Sequence, residues 1–84
     1  MIEINVIGLG FVGLTTAVGL SYKNLKINAI ENDIKNLNKI RNLNIPFYEP
    51  MLDKKLKYVL KNKNISFTDK IKLNKNKTNV FFIC

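Results

Sequence analysis

The chain has 84 residues, 46% of them hydrophobic, a net charge of +8, a single cysteine and no histidine. That apolar content suits one small globular unit and is too high for a disordered segment, and no apolar run approaches the roughly 20 residues a membrane span needs. An internal disulfide, a histidine general base and a histidine-ligated metal are all excluded.

The lone cysteine, Cys84, fits a reducing, cytoplasmic setting. Met1-Ile2-Glu3 lacks the basic stretch that opens a signal peptide, so Met1 is expected to lead directly into structure. Thirteen lysines carry most of the charge and alternate with thirteen asparagines. Nine of the thirteen lysines are spread over the second half of the chain, without the arginine stripe and interleaved aromatics of a nucleic-acid surface. They read as solvated outer helix faces, with no nucleic-acid or membrane partner expected. Salt-sensitive DNA binding would be the mark of the opposite case.

In chain order, Ile2–Ile7 (IEINVI) is a short apolar run that stops at Gly8, as a buried parallel strand does. Residues 11–22 (FVGLTTAVGLSY) follow at once. Their small and apolar Val12, Ala17, Val18 and Leu20 suit a helix packed closely on a sheet. Asn24, Leu25 and Lys26 make a turn into a second strand, 27–31 (INAIE), which ends on an acid. Asp33 is placed to cap the next helix, which runs to about Asn42 with Ile34, Leu37 and Ile40 on its apolar face. A loop over 42–50 is held by Pro46 and Pro50, and Pro50 suits the first position of a third helix. In that helix Leu52, Leu56, Val59 and Leu60 repeat at i, i+4, i+7 and i+8, with lysines on the other faces. A third strand spans 65–68 (ISFT). A polar connection with at most a weak helical turn spans 69–77. A fourth strand, 79–84 (NVFFIC), is apolar on both faces and is therefore expected in the middle of a sheet. A central strand at the end of the chain would leave one sheet edge unpaired, so the rest of the sheet is expected from elsewhere. The alternation of strands and helices argues for a parallel sheet.

The chemistry is carried by Gly8-Leu9-Gly10-Phe11-Val12-Gly13, a G-x-G-x-x-G. The pattern is common on its own, but here it follows a strand, opens a helix and sits inside a βαβ unit. Gly8 allows a tight turn, Gly10 lets the backbone approach a pyrophosphate, and Gly13 lets the helix pack on the first strand. The helix N-terminus then offers free N–H groups and a partial positive charge to phosphates. Glu31 lies 18 residues after Gly13, where a carboxylate can accept both ribose hydroxyls of an adenosine and repel a 2′-phosphate, so NAD is expected over NADP.

Four segments together resemble the UDP-glucose/GDP-mannose dehydrogenase family: Asn5 to Leu14 around the glycine turn; Pro46-Phe47-Tyr48-Glu49-Pro50 followed by Leu52; Phe67-Thr68-Asp69; and Val80-Phe81-Phe82-Ile83-Cys84. They occur in the family's order over the whole chain. The resemblance implies the N-terminal part of a NAD-binding domain over 1–84, with no second domain present. It implies a partial Rossmann-like parallel sheet of about four strands, order 3-2-1-4, with helices on both faces. It also implies a two-step, NAD-dependent oxidation of a nucleotide sugar to its uronic acid. The Tyr-Glu-Pro segment points to the branch acting on UDP-glucose, with the UDP-N-acetylmannosamine and GDP-mannose branches as alternatives. A non-catalytic relic that binds nucleotide or pairs with another subunit is the reading of a different class.

On that resemblance the cofactor-binding residues are Gly8, Leu9, Gly10, Phe11, Val12, Gly13 and Glu31, the last in place of the family's ribose-binding Asp. The family's basic residue five positions after the acid is here Asn36, with Lys35 beside it as the substitute contact. Met51 stands where the family has Gly after Tyr-Glu-Pro, which bears on the start of the third helix. The family's catalytic thiol and lysine lie in parts this chain lacks, so no catalytic residue is assigned. Cys84 is expected to serve packing and not chemistry. Tyr48 and Glu49 are expected to anchor the loop and the helix start. Homo-oligomerisation would belong to the full-length protein.

Overall fold

Alternation along the strands decides which side of the sheet becomes the core. The computed structural model describes residues 2–45 and 47–84, so the expectations placed on Met1 and Pro46 fall outside the described residues. Its elements are β1 (Ile2–Ile7), α1 (Phe11–Tyr22), β2 (Ile27–Ile30), α2 (Ile34–Arg41), α3 (Leu52–Lys61), β3 (Ile65–Thr68) and β4 (Thr78–Ile83). The strands form one parallel sheet in the order β3-β2-β1-β4. Ile4, Val6, Ile27, Ala29, Ile65 and Phe67 turn to one side. There they meet Leu14, Ala17 and Val18 of α1, Leu37 and Ile40 of α2, and Leu52, Leu56 and Val59 of α3. Side chains of this kind contribute about 1.5–3 kcal/mol each when fully buried, so this single cluster supplies most of the stabilisation.

The other side of the sheet departs from the expected apolar run in β1. Because side chains alternate at a period of two, Glu3 and Asn5 face away from the helices, opposite Asn28 of β2. Asn5 is almost fully buried yet satisfied: its Nδ2 donates to the Val80 carbonyl (3.3 Å) and its Oδ1 accepts from Asn28 Nδ2 (3.1 Å). The chain of contacts continues from Asn28 Nδ2 to Glu3 Oε1 (2.9 Å), from Lys77 Nζ to Glu3 Oε2 (3.1 Å), and from Ser66 Oγ to Asn28 Oδ1 (3.1 Å). The hydrogen bond from Asn28, then that from Lys77 and its charge, hold the Glu3 carboxyl below the usual glutamate range. Helices were expected on both faces. The three helices instead share the one cluster. The connection over 69–77, which crosses to β4 past the polar ladder, is polar and forms a turn at Lys75 and Asn76 with no helix.

β4 pairs with β1 alone, so it is an edge strand in this sheet and not a central one. Phe81, Phe82 and Ile83 are partly or largely exposed as a result, and Cys84, expected in a buried position, is also exposed. Ile34 likewise sits half out of the core at the first turn of α2, leaving Leu37 and Ile40 to bury that helix.

The helix starts differ in chemistry. Asp33 caps α2 as expected, its Oδ1 accepting from the amides of Lys35 (3.0 Å) and Asn36 (3.4 Å). α3 begins later than expected. Its N-cap is Met51, so Pro50 precedes the cap and does not open the helix. Met51 has φ 68°, in the left-handed region. That is the conformation a glycine adopts without strain, and an L side chain there costs about 1–2 kcal/mol. Met51 is half exposed and gives up little on truncation. Met51→Gly is therefore expected to raise stability by about 1 kcal/mol, a rise of about 4–8 °C in melting temperature for a domain of this size. A thermal melt showing no rise, or a fall, would reject that account.

Candidate functional site

β1 leads into the turn without a break. The Gly8 amide donates to the Ile30 carbonyl (2.9 Å), and the Cys84 amide donates to the Ile7 carbonyl (2.9 Å), which ties the ends of β1, β2 and β4 together. Gly8 has φ +90°, and a Cβ there would lie 2.7 Å from the carbonyl oxygen of Cys84. At Gly13 the closeness is greater: a Cβ would sit 1.6 Å from the Gly8 carbonyl oxygen. The first turn of α1 therefore rests directly on the main chain of the strand that precedes it. The roles expected of these two glycines, tight turn and close packing, are the roles they have.

Gly10 is the N-cap of α1, and it supplies no side-chain hydrogen bond to the helix. The first closed turn is Leu14 N–H to Gly10 O at 2.9 Å. The amides of Phe11, Val12 and Gly13 precede it, and the first turn carries no acidic side chain to neutralise them. A Cβ on Gly10 would meet no protein atom within 4 Å. The space beside the helix start is open, and three donors without a partner among the described residues lie at it with the positive end of a helix dipole. This is the chemistry of a phosphate cradle, and it fits a pyrophosphate.

Glu31 follows β2 directly, and its amide donates to the Thr68 carbonyl (2.9 Å). Its side chain turns back to the glycine loop. Oε1 accepts from the Leu9 amide (3.0 Å) and from Asn36 Nδ2 (3.1 Å), and Oε2 accepts from the Asp33 amide (3.1 Å). A carboxylate has about four acceptor positions. Among the described residues three are used, which leaves the remaining one on Oε2. Asn36 Nδ2 also reaches the Leu9 carbonyl (3.4 Å), so the residue that stands where a basic one was expected bridges acid and turn. Sequence reasoning passed over Asn36 because an amide carries no charge signal and its partners lie 5 and 27 residues away.

The other expected residues divide. Leu9 is buried in the core and offers the site only its main chain. Phe11 and Val12 are exposed beside the turn. Lys35 is exposed, and its side chain makes no hydrogen bond or ion pair among the described residues. Phe47 packs edge-on against Phe11, ring centroids 5.1 Å apart, which joins the Tyr-Glu-Pro segment to the glycine turn. Tyr48 projects into solvent, while the Glu49 carbonyl accepts from the Leu52 amide (3.1 Å) at the start of α3. A cleft of about 550 Å³ opens at the carboxyl ends of β1, β2 and β3, between Gly8, Asn32, Asp69, Lys70 and Ile71. In open parallel α/β sheets that end of the strands is where ligands bind. Among the described residues no cluster of three potential metal ligands occurs, and no helix is long and apolar enough to cross a membrane.

A parallel sheet of order 3-2-1-4, a glycine turn opening onto an uncapped helix, and an acid at the end of the second strand define a Rossmann-like dinucleotide-binding fold. Residues 2–84 match the model of the UDP-glucose/GDP-mannose dehydrogenase family, NAD binding domain, and the chain belongs to that family. It is similar to the UDP-glucose 6-dehydrogenase of Rickettsia prowazekii (strain Madrid E), with 31% identity over 67 residues, or 80% of this chain and 15% of that one. Among solved structures it is similar to UDP-D-ManNAc dehydrogenase from Pyrococcus horikoshii (32% identity, TM-score 0.85, 100% of this chain and 20% of that one). It is also similar to a ternary complex of GDP-mannose dehydrogenase from Pseudomonas aeruginosa (27% identity, TM-score 0.84, 98% and 19%). The chain thus spans about a fifth or less of the length of these relatives.

Proposed function

We propose that this chain is the part of a nucleotide-sugar dehydrogenase that holds NAD. The observation that carries the reading is the start of α1, where three amides without a capping side chain face open space beside Gly10. The first-turn amides of Phe11, Val12 and Gly13 bind the pyrophosphate, with the main chain of Gly8, Leu9 and Gly10 lining its approach. Glu31 takes a ribose hydroxyl of the adenosine half through its free Oε2 position. The cleft at Asn32, Asp69, Lys70 and Ile71 receives the rest of that half, with the Lys70 cation in its lining, and Lys35, four residues after Glu31, is the second cation assigned to it. Bound NAD supplies the hydride acceptor; the chain's own residues bind and orient it.

In the whole protein the substrate is UDP-glucose, taken to UDP-glucuronate as two NAD each accept one hydride and one water supplies the second carboxylate oxygen, with release of protons. The Tyr-Glu-Pro segment and the Rickettsia relative support that choice. The likeness to the Pyrococcus structure over the full chain favours UDP-N-acetylmannosamine as the second reading.

The test is titration calorimetry of the chain with NAD and NADP. NAD is expected to bind more tightly than NADP. Glu31→Ala should weaken NAD by about tenfold, the scale of a hydrogen bond to a charged group, and narrow its margin over NADP. An unchanged NAD/NADP ratio would remove Glu31 from the site, and absence of NAD binding by the wild-type chain would end the proposal.

A further inference from the structure

We propose that Asn36 is a positioning residue that fixes Glu31 against the glycine turn and thereby sets the preference for NAD over NADP. The inference rests on the NAD-binding reading of the same site and adds to it the origin of its selectivity.

A glutamate side chain has three rotatable bonds and loses rotamer freedom when held in one pose. Something has to hold it there. Two of the three groups on the Glu31 carboxylate are main-chain amides, those of Leu9 and Asp33. The third, Asn36 Nδ2, is the one side-chain donor on it among the described residues, at 3.1 Å from Oε1. The same nitrogen lies 3.4 Å from the Leu9 carbonyl, so Oε1 is occupied on the turn side by Leu9 and Asn36 together. Oε2 accepts from the Asp33 amide alone among the described residues and keeps an acceptor position open. Asn36 is half-buried on the first turn of α2, a helix already anchored by the Asp33 cap, so it holds the carboxylate from a fixed support.

The choice of an amide also matters. Asn36 donates without charge. The Glu31 carboxylate stands at the place a 2′-phosphate would enter, and a ribose hydroxyl is favoured there over a phosphate ester.

The experiment is calorimetry of NAD and NADP with Asn36→Ala, Asn36→Leu, Asn36→Gln, Glu31→Ala and the Glu31→Ala/Asn36→Ala double variant, with folding checked by circular dichroism. Asn36→Ala favours the helix, and Asn36→Leu is a second donor-less side chain of similar bulk if the first should fail to fold. Both are expected to weaken NAD about tenfold while leaving NADP within about twofold, so the ratio collapses. Asn36→Gln keeps an amide and should stay within about threefold of wild type. In the Glu31→Ala background, Asn36→Ala should change neither nucleotide, because its effect passes through the carboxylate. Equal losses of NAD and NADP would mark a general support of the turn and overturn the proposal. So would a loss that persists without Glu31. A wild-type chain binding neither nucleotide would fell the NAD reading and this inference with it. NAD binding that weakens in Glu31→Ala but not in either donor-less Asn36 variant would fell the inference alone.

Discussion

Gly13→Ala is expected to leave the chain without a cooperative melting transition. The added Cβ would stand 1.6 Å from the carbonyl oxygen of Gly8, and 2.8 Å from its carbonyl carbon. Neither can swing aside, because both are main chain and Gly8 is fixed in turn by its bond to Ile30 (2.9 Å) and by the Cys84 carbonyl beside it. Relief requires α1 to lift from β1, which pulls Leu14, Ala17 and Val18 out of the cluster. Each such side chain is worth about 1.5–3 kcal/mol on burial, and the total stability of so small a chain is at the low end of about 5–15 kcal/mol. A loss of about 4 kcal/mol or more follows, which is exceptional for one methyl group and diagnostic of backbone contact. Circular dichroism against temperature measures it; a Gly13→Ala chain melting within a few degrees of wild type would show that the helix does not rest on the strand in this way.

Gly10→Asp should do the opposite: keep the fold and lose the ligand. The backbone at Gly10 has φ −75° and ψ −159°, an extended conformation open to any residue, and a Cβ there meets nothing within 4 Å. Aspartate is also a favoured N-cap, so stability should hold or rise slightly. The carboxylate would cap the very amides proposed to bind the pyrophosphate and place a negative charge where a negative group approaches. Two unit charges about 4 Å apart near a protein surface repel by about 4 kcal/mol, so NAD affinity should fall by about a thousandfold, below detection in a calorimetric titration. A folded Gly10→Asp chain with wild-type NAD affinity would refute the pyrophosphate role. Two glycines three residues apart thus serve separate ends, one to close the fold and the other to open the site.

Short-range patterns account for what was legible before the structure. The bounds of β1, α1 and β3, the Asp33 cap and the buried stripe of Leu52, Leu56 and Val59 are written in runs of a few residues, and local backbone preference decides them. The spacing of Gly8 and Gly13 was readable for the same reason, since a turn and a first helical turn lie within six positions. Met51 in place of glycine was a visible departure, and its left-handed backbone gives that departure its meaning.

What the tertiary structure alone decided are pairings between residues far apart in the chain. The strand pattern of IEINVI reads as apolar, yet Glu3 and Asn5 take the polar side because the parallel register sets them against Asn28 and β4. The sequence by itself determined a βαβ unit with a glycine turn and an acid after it. It could not determine that Glu31 crosses 22 residues back to the Leu9 amide, that Asn36 holds it there, or that β4 ends at an edge with Cys84 exposed. Local preferences act through a residue's own backbone and near neighbours. A side chain's partner depends on which strand ends the sheet brings side by side, and that is settled only when the whole core has packed.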